Sequence, residues 1–228
     1  MKKFKNKIFV LSASRTGSTF LWQVLKYLCE DLEKLHCEHL TEEIIKSKSP
    51  MVITRRNCMD SFASYIRIAH FKGRKEEFLN SFKTFSTRFI TMEYENKKVG
   101  VSYKDFLVSS AKIYRMQLGY MRHFIETYDG KKLVLDYENF LDDYDYVFSK
   151  LEEFLQINIP NDLKKIIINN TNRDANKKIQ SSFDEFEEYD KESHIHGHHI
   201  AFEKNNYSKE LFPEEEYKFF ENLLNFND

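Results

Sequence analysis

Ile8-Phe9-Val10-Leu11, Ser12-Ala13-Ser14-Arg15-Thr16-Gly17-Ser18-Thr19 and Phe20-Leu21-Trp22-Gln23-Val24-Leu25 follow one another without a break, and each has a different texture. The first is a continuous apolar run, the pattern of a buried parallel strand. The second is a short loop of small hydroxyl residues around one glycine. In the third, apolar residues recur at Phe20, Leu21, Val24, Leu25, Leu28 and Leu32, the spacing of one helix face. A strand that feeds a helix through such a loop aims several backbone N–H groups and a helix N-terminus at one point, where an anion would sit. Gly17 lets the backbone approach closely, Ser18 or Thr19 is placed to cap the helix, and Arg15 adds a full positive charge. Read alone, the stretch also fits an ordinary strand–loop–helix with a Ser/Thr cap. It does not fit the Walker A pattern, because no glycine stands four or five residues before Gly17 and Ser18 occupies the lysine position.

The rest of the 228 residues sets bounds on that reading. With 41% hydrophobic and 15% aromatic content the chain can bury one sizeable core, so a single domain over 1–228 is expected. Charged residues are nearly balanced at a formal net charge of −1, which offers nothing to nucleic acid or an anionic membrane. Six glycines and three prolines predict few long loops and much helix. The basic start, Met1 to Lys7, is followed by too short an apolar run for a signal peptide, and no stretch reaches the roughly 18 apolar residues of a membrane span. Cys29, Cys37 and Cys58 are odd in number and irregularly spaced, so reduced thiols and a cytoplasmic location are expected.

Further along, Glu33–Leu40 reads as a second strand or its extended exit. Thr41 is placed to cap a short helix with Glu42 and Glu43 in its first turn. Met51–Thr54 reads as a third strand, running into Arg55-Arg56 and then a helix with Phe62, Tyr65, Ile66 and Ala69 on one face. Phe78, Phe82, Phe85 and Phe89 fall at helical spacing, with a turn expected at Lys97–Gly100. A long helix is predicted from Lys104 to Tyr128, a fourth strand over Lys132–Tyr137 and an amphipathic helix from Tyr144 to Leu155. Ala175–Glu192 reads as a loop or short helix, and Pro213 with three glutamates opens a last helix. Strands separated by helices imply crossovers and a central parallel sheet flanked by helices, an α/β fold.

In such a sheet ligands collect at the carboxyl ends of the strands. Strand one delivers Arg15 to Thr19. Strand three delivers Arg56, with Ser64 a little further on in the following helix. Strand four delivers Tyr137-Glu138-Asn139. A loop for one phosphate-like group, an arginine and serine for another and a tyrosine face for a base describe a nucleotide with two separate anionic ends.

These motifs resemble those of the sulfotransferases that use 3′-phosphoadenosine 5′-phosphosulfate. Arg15-Thr16-Gly17-Ser18-Thr19-Phe20 is similar to the family's 5′-phosphosulfate loop, with arginine where cytosolic members usually carry lysine. Arg56 to Tyr65 is similar to its 3′-phosphate motif: an arginine closing a strand, Asp60 four residues on, and the pair Ser64-Tyr65. Leu135 to Asn139 and Glu153 to Gln156 match the strand ending Tyr-Glu-Asp and the helix ending Phe-Leu-Gly. The resemblance covers most of residues 1–155, the expected nucleotide-binding core of a P-loop-like fold, and leaves 156–228 as C-terminal helices and a lid. It implies that Arg15, Thr16, Gly17, Ser18, Thr19 and Phe20 bind the 5′-phosphosulfate end, Arg56 and Ser64 the 3′-phosphate, and that Tyr137 approaches the adenine.

The resemblance also implies an in-line transfer of a sulfuryl group to a hydroxyl or amine, with Arg15 stabilising the leaving phosphate and 3′-phosphoadenosine 5′-phosphate as product. No metal is called for. Many members use a histidine at the exit of the second strand as base, in a Lys-Thr-His run. Lys34-Leu35-His36 stands there, so His36 is the candidate, with Glu38 and His39 as alternatives. In a strand, His36 and Glu38 share a face and His39 points away. His198, His199 or Lys204 is expected to close over the 3′-phosphate, although the family's Arg-Lys-Gly run is absent. The histidine cluster Ser193–His199 shows no recognisable metal-ligand spacing. The acceptor, whether small molecule, sugar or peptide, is not legible, and neither is the oligomeric state. The rival readings are a P-loop-type nucleotide or small-molecule kinase and a non-catalytic nucleotide-binding protein.

Overall fold

The computed structural model describes residues 3–72, 74–83, 89–94, 97–141, 143–197 and 208–225. In chain order the elements are β1 (Ile8–Ser12), α1 (Ser18–Leu28), β2 (Leu32–His36), α2 (Glu42–Lys46), β3 (Met51–Arg55), α3 (Cys58–Phe71) and α4 (Lys75–Lys83). Then come β4 (Phe89–Tyr94), β5 (Lys97–Ser102), α5 (Tyr103–Thr127), β6 (Lys132–Asp136), α6 (Tyr137–Phe140) and α7 (Tyr144–Leu155). The chain continues through α8 (Asn161–Thr171), α9 (Arg173–Gln180), β7 (Tyr189–Asp190), β8 (Ile195–His196), α10 (Ser208–Leu211) and α11 (Glu214–Leu224). Four strands form the parallel sheet in the order β2-β1-β3-β6. Every connection within it passes through helix, the architecture expected of alternating strands and helices.

Contacts gather the chain into two units, Met1–Asn57 with Tyr120–Ile200 and Cys58–Gly119 with Ala201–Asp228. In the first, α1, α7 and α8 cover one face of the sheet. Leu21, Val24, Leu25 and Leu28 of α1 and Val147, Phe148 and Leu151 of α7 pack with Ile8 and Val10 of β1. Asp143 caps α7 by accepting from the Tyr146 N–H at 2.8 Å. Gln156 ends that helix in the left-handed conformation, at φ 55, the position where Phe-Leu-Gly would place glycine. The second unit has its own core, in which Phe62 and Ile66 of α3, Tyr114 of α5 and Phe220 of α11 are buried together.

The expected elements recur with five changes. Leu32 belongs to β2, paired with Ile8, because the backbone turns extended at Cys29 and ends α1 before the apolar spacing does. Neither Ser18 nor Thr19 caps α1. Gly17 takes the N-cap position, so both hydroxyl residues fall inside the helix. The predicted second strand stops at His36 and tightens into a 3₁₀ turn over Cys37–His39. The run of phenylalanines does not make one helix. α4 ends by Lys83, Phe89 opens β4, and the turn expected at Lys97–Gly100 is strand, since 89–102 forms an antiparallel hairpin. Its aromatic and β-branched residues favour that pairing. Phe85 lies outside the described residues. Finally, Ala175–Glu192 holds the expected short helix, most of α9, and a loop, but adds one strand of the small β7–β8 hairpin. Thr41 does cap α2, accepting from Ile44 N–H at 3.3 Å.

Candidate active site

Parallel register brings the carboxyl ends of the sheet strands to one rim. Ser12, the last residue of β1, is flanked by His36 of β2 and Thr54 of β3, and Arg55 lies beside Asp136 of β6. From Ser12 the chain enters the loop with two left-handed residues, Arg15 at φ 66 and Gly17 at φ 94. Thr16, between them, is buried, and its hydroxyl donates to the Ala13 carbonyl at 3.1 Å and meets Thr54 Oγ1 at 2.7 Å. Thr16 therefore pins the loop to β3, leaving its backbone rather than its hydroxyl for a ligand. A Cβ on Gly17 would fall 2.5 Å from Cδ2 of Tyr137 and 2.9 Å from Phe140, so position 17 admits glycine on both conformational and steric grounds. Ser18 is buried in the first turn of α1, and Phe20 stacks on Phe140 with centroids 5.6 Å apart.

Cations converge on this loop. Lys34 of β2 reaches across to donate to Thr19 Oγ1 at 2.8 Å. Burial, and then the charge of Arg15, lowers its pKa to about 8. Arg56 donates to the Arg15 carbonyl at 3.3 Å and lays its guanidinium 4.3 Å from the ring centroid of Tyr137. Tyr137 thus braces both Gly17 and Arg56. The neighbouring strand exits are tied together, because Arg55 forms a two-pronged ion pair with Asp136 at 2.8 and 3.0 Å, and Asn57 N–H donates to Glu138 Oε1 at 2.7 Å.

His36 stands at the edge of the same rim. Its Nε2 lies 3.0 Å from Ser14 Oγ. Its Nδ1 faces both the Glu38 N–H at 3.4 Å and the Glu38 carboxylate at 3.5 Å. The 3₁₀ turn also swings His39 back, with ring centroids 6.0 Å apart, instead of pointing it away as a continued strand would.

Part of the histidine cluster is accounted for by packing. His194, at φ 59, packs at a tilt against Trp22 of α1 with ring centroids 3.8 Å apart, and His196 packs edge-on against Phe186. Gln23 clasps the same hairpin, donating to the Ser193 carbonyl at 2.6 Å and exchanging bonds with Asn176 at 2.9 and 3.1 Å. Burial, then Lys34 and Lys26, push His194 down to about 4, against a smaller opposing effect of Asp190. Among the described residues no group of three or more His, Cys, Asp or Glu side chains is arranged to hold a metal ion. His198, His199 and Lys204 lie outside the described residues.

The sequence-predicted residues of the first unit come together: Arg15, Thr16, Gly17, Ser18, Thr19, Phe20, His36, Arg56 and Tyr137. Ser64 lies buried on α3 in the second unit, one turn after Asp60, which accepts from the N–H and hydroxyl of Ser208 at 3.1 and 2.6 Å. Two site residues carry no role in the sequence reading. Lys34 was legible in principle, since alternation along β2 puts it on the face of His36. Ser14 had no signal beyond its place in the loop.

A parallel four-stranded sheet with a cationic, glycine-bearing loop after its first strand defines the class: the chain has the sulfotransferase fold. Among solved structures it is similar to mouse sulfotransferase SULT7A1 complexed with PAP, at TM-score 0.59 and 13% identity over 96% of this chain and 83% of that one. It is also similar to retinol dehydratase with androsterone and inactive cofactor PAP (TM-score 0.56, 14% identity, 98% and 80% covered). Retinol dehydratase in a complex with retinol and PAP matches at TM-score 0.53 and 14% identity, over 98% and 81%. No protein-family model and no curated protein matches the sequence.

Proposed function

We propose that the protein is a sulfotransferase, moving a sulfuryl group from 3′-phosphoadenosine 5′-phosphosulfate to a hydroxyl or amine of a small-molecule, sugar or peptide acceptor. One observation carries this reading: Lys34 of β2 donates to Thr19 Oγ1 at 2.8 Å, bringing a second cation to the glycine-bearing loop that carries Arg15. Two like charges so placed repel each other, and a bound polyanion relieves that repulsion. The fold neighbours in complex with PAP support the choice of nucleotide, and the androsterone and retinol bound in two of those complexes favour a small-molecule acceptor.

In this reading the loop from Arg15 to Phe20, with Lys34, holds the phosphosulfate end, and Arg56 on its Tyr137 brace takes the 3′-phosphate. The part of Ser64 rests on the resemblance alone. Tyr137, with Arg56 over its ring and Gly17 against its Cδ2–Cε2 side, stands beside the adenine in this reading. The co-substrate supplies the activated sulfuryl group. Arg15 and Lys34 meet the charge that develops on the leaving phosphate, and His36 takes the proton of the acceptor. A cytoplasmic location accords with three free thiols, which burial holds in the neutral form by raising Cys29 to about 12 and Cys37 and Cys58 to about 11. Among the described residues no helix is long and apolar enough to cross a membrane.

The first test is a melting curve. Added 3′-phosphoadenosine 5′-phosphate should stabilise the protein by about 3 kcal/mol at a hundredfold excess over Kd, while ATP with Mg²⁺ should not. Stabilisation by ATP alone would favour the kinase. Transfer is then sought by mass spectrometry of alcohols, phenols, sugars and tyrosyl peptides. Arg15→Ala should lower the rate at least about 100-fold, and normal turnover would reject its role.

A further inference from the structure

His36 has two hydrogen-bonding nitrogens, and the residues around them make incompatible demands. The Glu38 N–H, 3.4 Å from Nδ1, needs a lone pair there. That would put the proton on Nε2, pointing at Ser14 Oγ 3.0 Å away, and leave Nε2 unable to accept a proton. The Glu38 carboxylate, with Oε2 3.5 Å from the same Nδ1, needs the opposite: a proton on Nδ1 and a lone pair on Nε2. Only one arrangement holds at a time. Both contacts are long, 3.4 Å to the backbone N–H and 3.5 Å to the carboxylate, so length does not decide between them; charge does, because a bond to an ionised carboxylate is about twice as strong as a neutral one.

We propose that Glu38 is a positioning residue. Its carboxylate keeps the proton of His36 on Nδ1, so that Nε2 presents a lone pair to a hydroxyl at the place now held by Ser14 Oγ. Ser14 Oγ lies at that place, and the acceptor hydroxyl takes it over. The proton then passes from the acceptor oxygen to Nε2 as the oxygen–sulfur bond forms and the bond to the bridging oxygen of the leaving phosphate breaks. Glu38 stays ionised and stabilises the imidazolium. This rests on the sulfotransferase reading for its purpose, but the tautomer itself does not depend on it. Among the described residues, Arg15 and Lys34 at the loop and His39, whose ring stands edge-on to His36, are further charged or titratable groups near the site.

Nitrogen-15 NMR of the full chain labelled in histidine reads the tautomer directly, with the His36 signals identified by their loss in His36→Gln. The expected result is Nδ1–H in the wild type, Nε2–H in Glu38→Gln and restoration of Nδ1–H in Glu38→Asp. Ser14→Ala should keep Nδ1–H. A wild-type signal from Nε2–H, or a Glu38→Gln signal like that of the wild type, overturns the proposal. Glu38 is more than half exposed, so its variants should melt with the wild type. Melting curves with 3′-phosphoadenosine 5′-phosphate on the same samples separate the two ideas. A correct tautomer switch without stabilisation by that nucleotide would sink the sulfotransferase reading and leave the role of Glu38 standing.

Discussion

Lys34 should govern how the proposed nucleotide site responds to pH. In the unliganded chain burial and Arg15 depress it to about 8 from its ordinary 10.5, so between those values the unfolded chain holds a proton that the folded chain has released. Over that window this group makes the unliganded fold more stable as pH rises. Ligand binding runs the other way. A bound polyanion restores the charge on Lys34, so binding takes up a proton, and affinity for 3′-phosphoadenosine 5′-phosphate should fall by about tenfold per pH unit above 8. Lys34→Met should bind more weakly at neutral pH and lose that slope in a titration series. A slope unchanged in the variant would locate the titrating group elsewhere. At this scale the sequence was legible where a residue type has one use in its setting, as with Gly17, whose left-handed backbone and contact with Tyr137 admit no side chain. It was silent where one type has several: Thr16 looks like a ligand hydroxyl, and only the buried contact with Thr54 shows that it holds the loop down.

Two elements position the site, and each can be broken separately. In the β1–α1 loop, Gly17→Ala would place a methyl group against the Tyr137 ring on a left-handed backbone. The strain should cost about 1–3 kcal/mol in urea unfolding. By displacing Tyr137 it should also disturb Arg56 and weaken nucleotide binding. A variant of wild-type stability would contradict the local geometry. The β7–β8 hairpin is clasped to α1 through Trp22, Gln23 and Lys26. His194 stays neutral there down to about 4, whereas in the unfolded chain it gains a proton near 6.5. Stability should therefore fall as pH drops from 6.5 toward 4, and His194→Gln should flatten that fall in melting curves between pH 7 and 5. The sheet strands and α7 could be read from the sequence because their apolar patterns are local and unbroken. β4, β5 and this hairpin could not, because short antiparallel strands are defined by the partner they pair with rather than by a period of their own.

The chain as a whole presents two contact units, yet we propose that it folds and works as one domain. The units are not consecutive in sequence, since the chain leaves the first at Asn57, returns to it at Tyr120 and leaves it again after Ile200. α5 runs unbroken from Tyr103 to Thr127 through that second boundary. A helix gains its stability along its length, so unfolding either unit would strip tertiary support from one end of α5. Calorimetry should then show a single transition with equal calorimetric and van't Hoff enthalpies, moved upward as a whole by 3′-phosphoadenosine 5′-phosphate. Two transitions, with only one of them moved by the nucleotide, would show that the units melt independently. Arg15→Ala should abolish the shift of whichever transition the nucleotide moves, so the same calorimeter assigns the binding unit in either case.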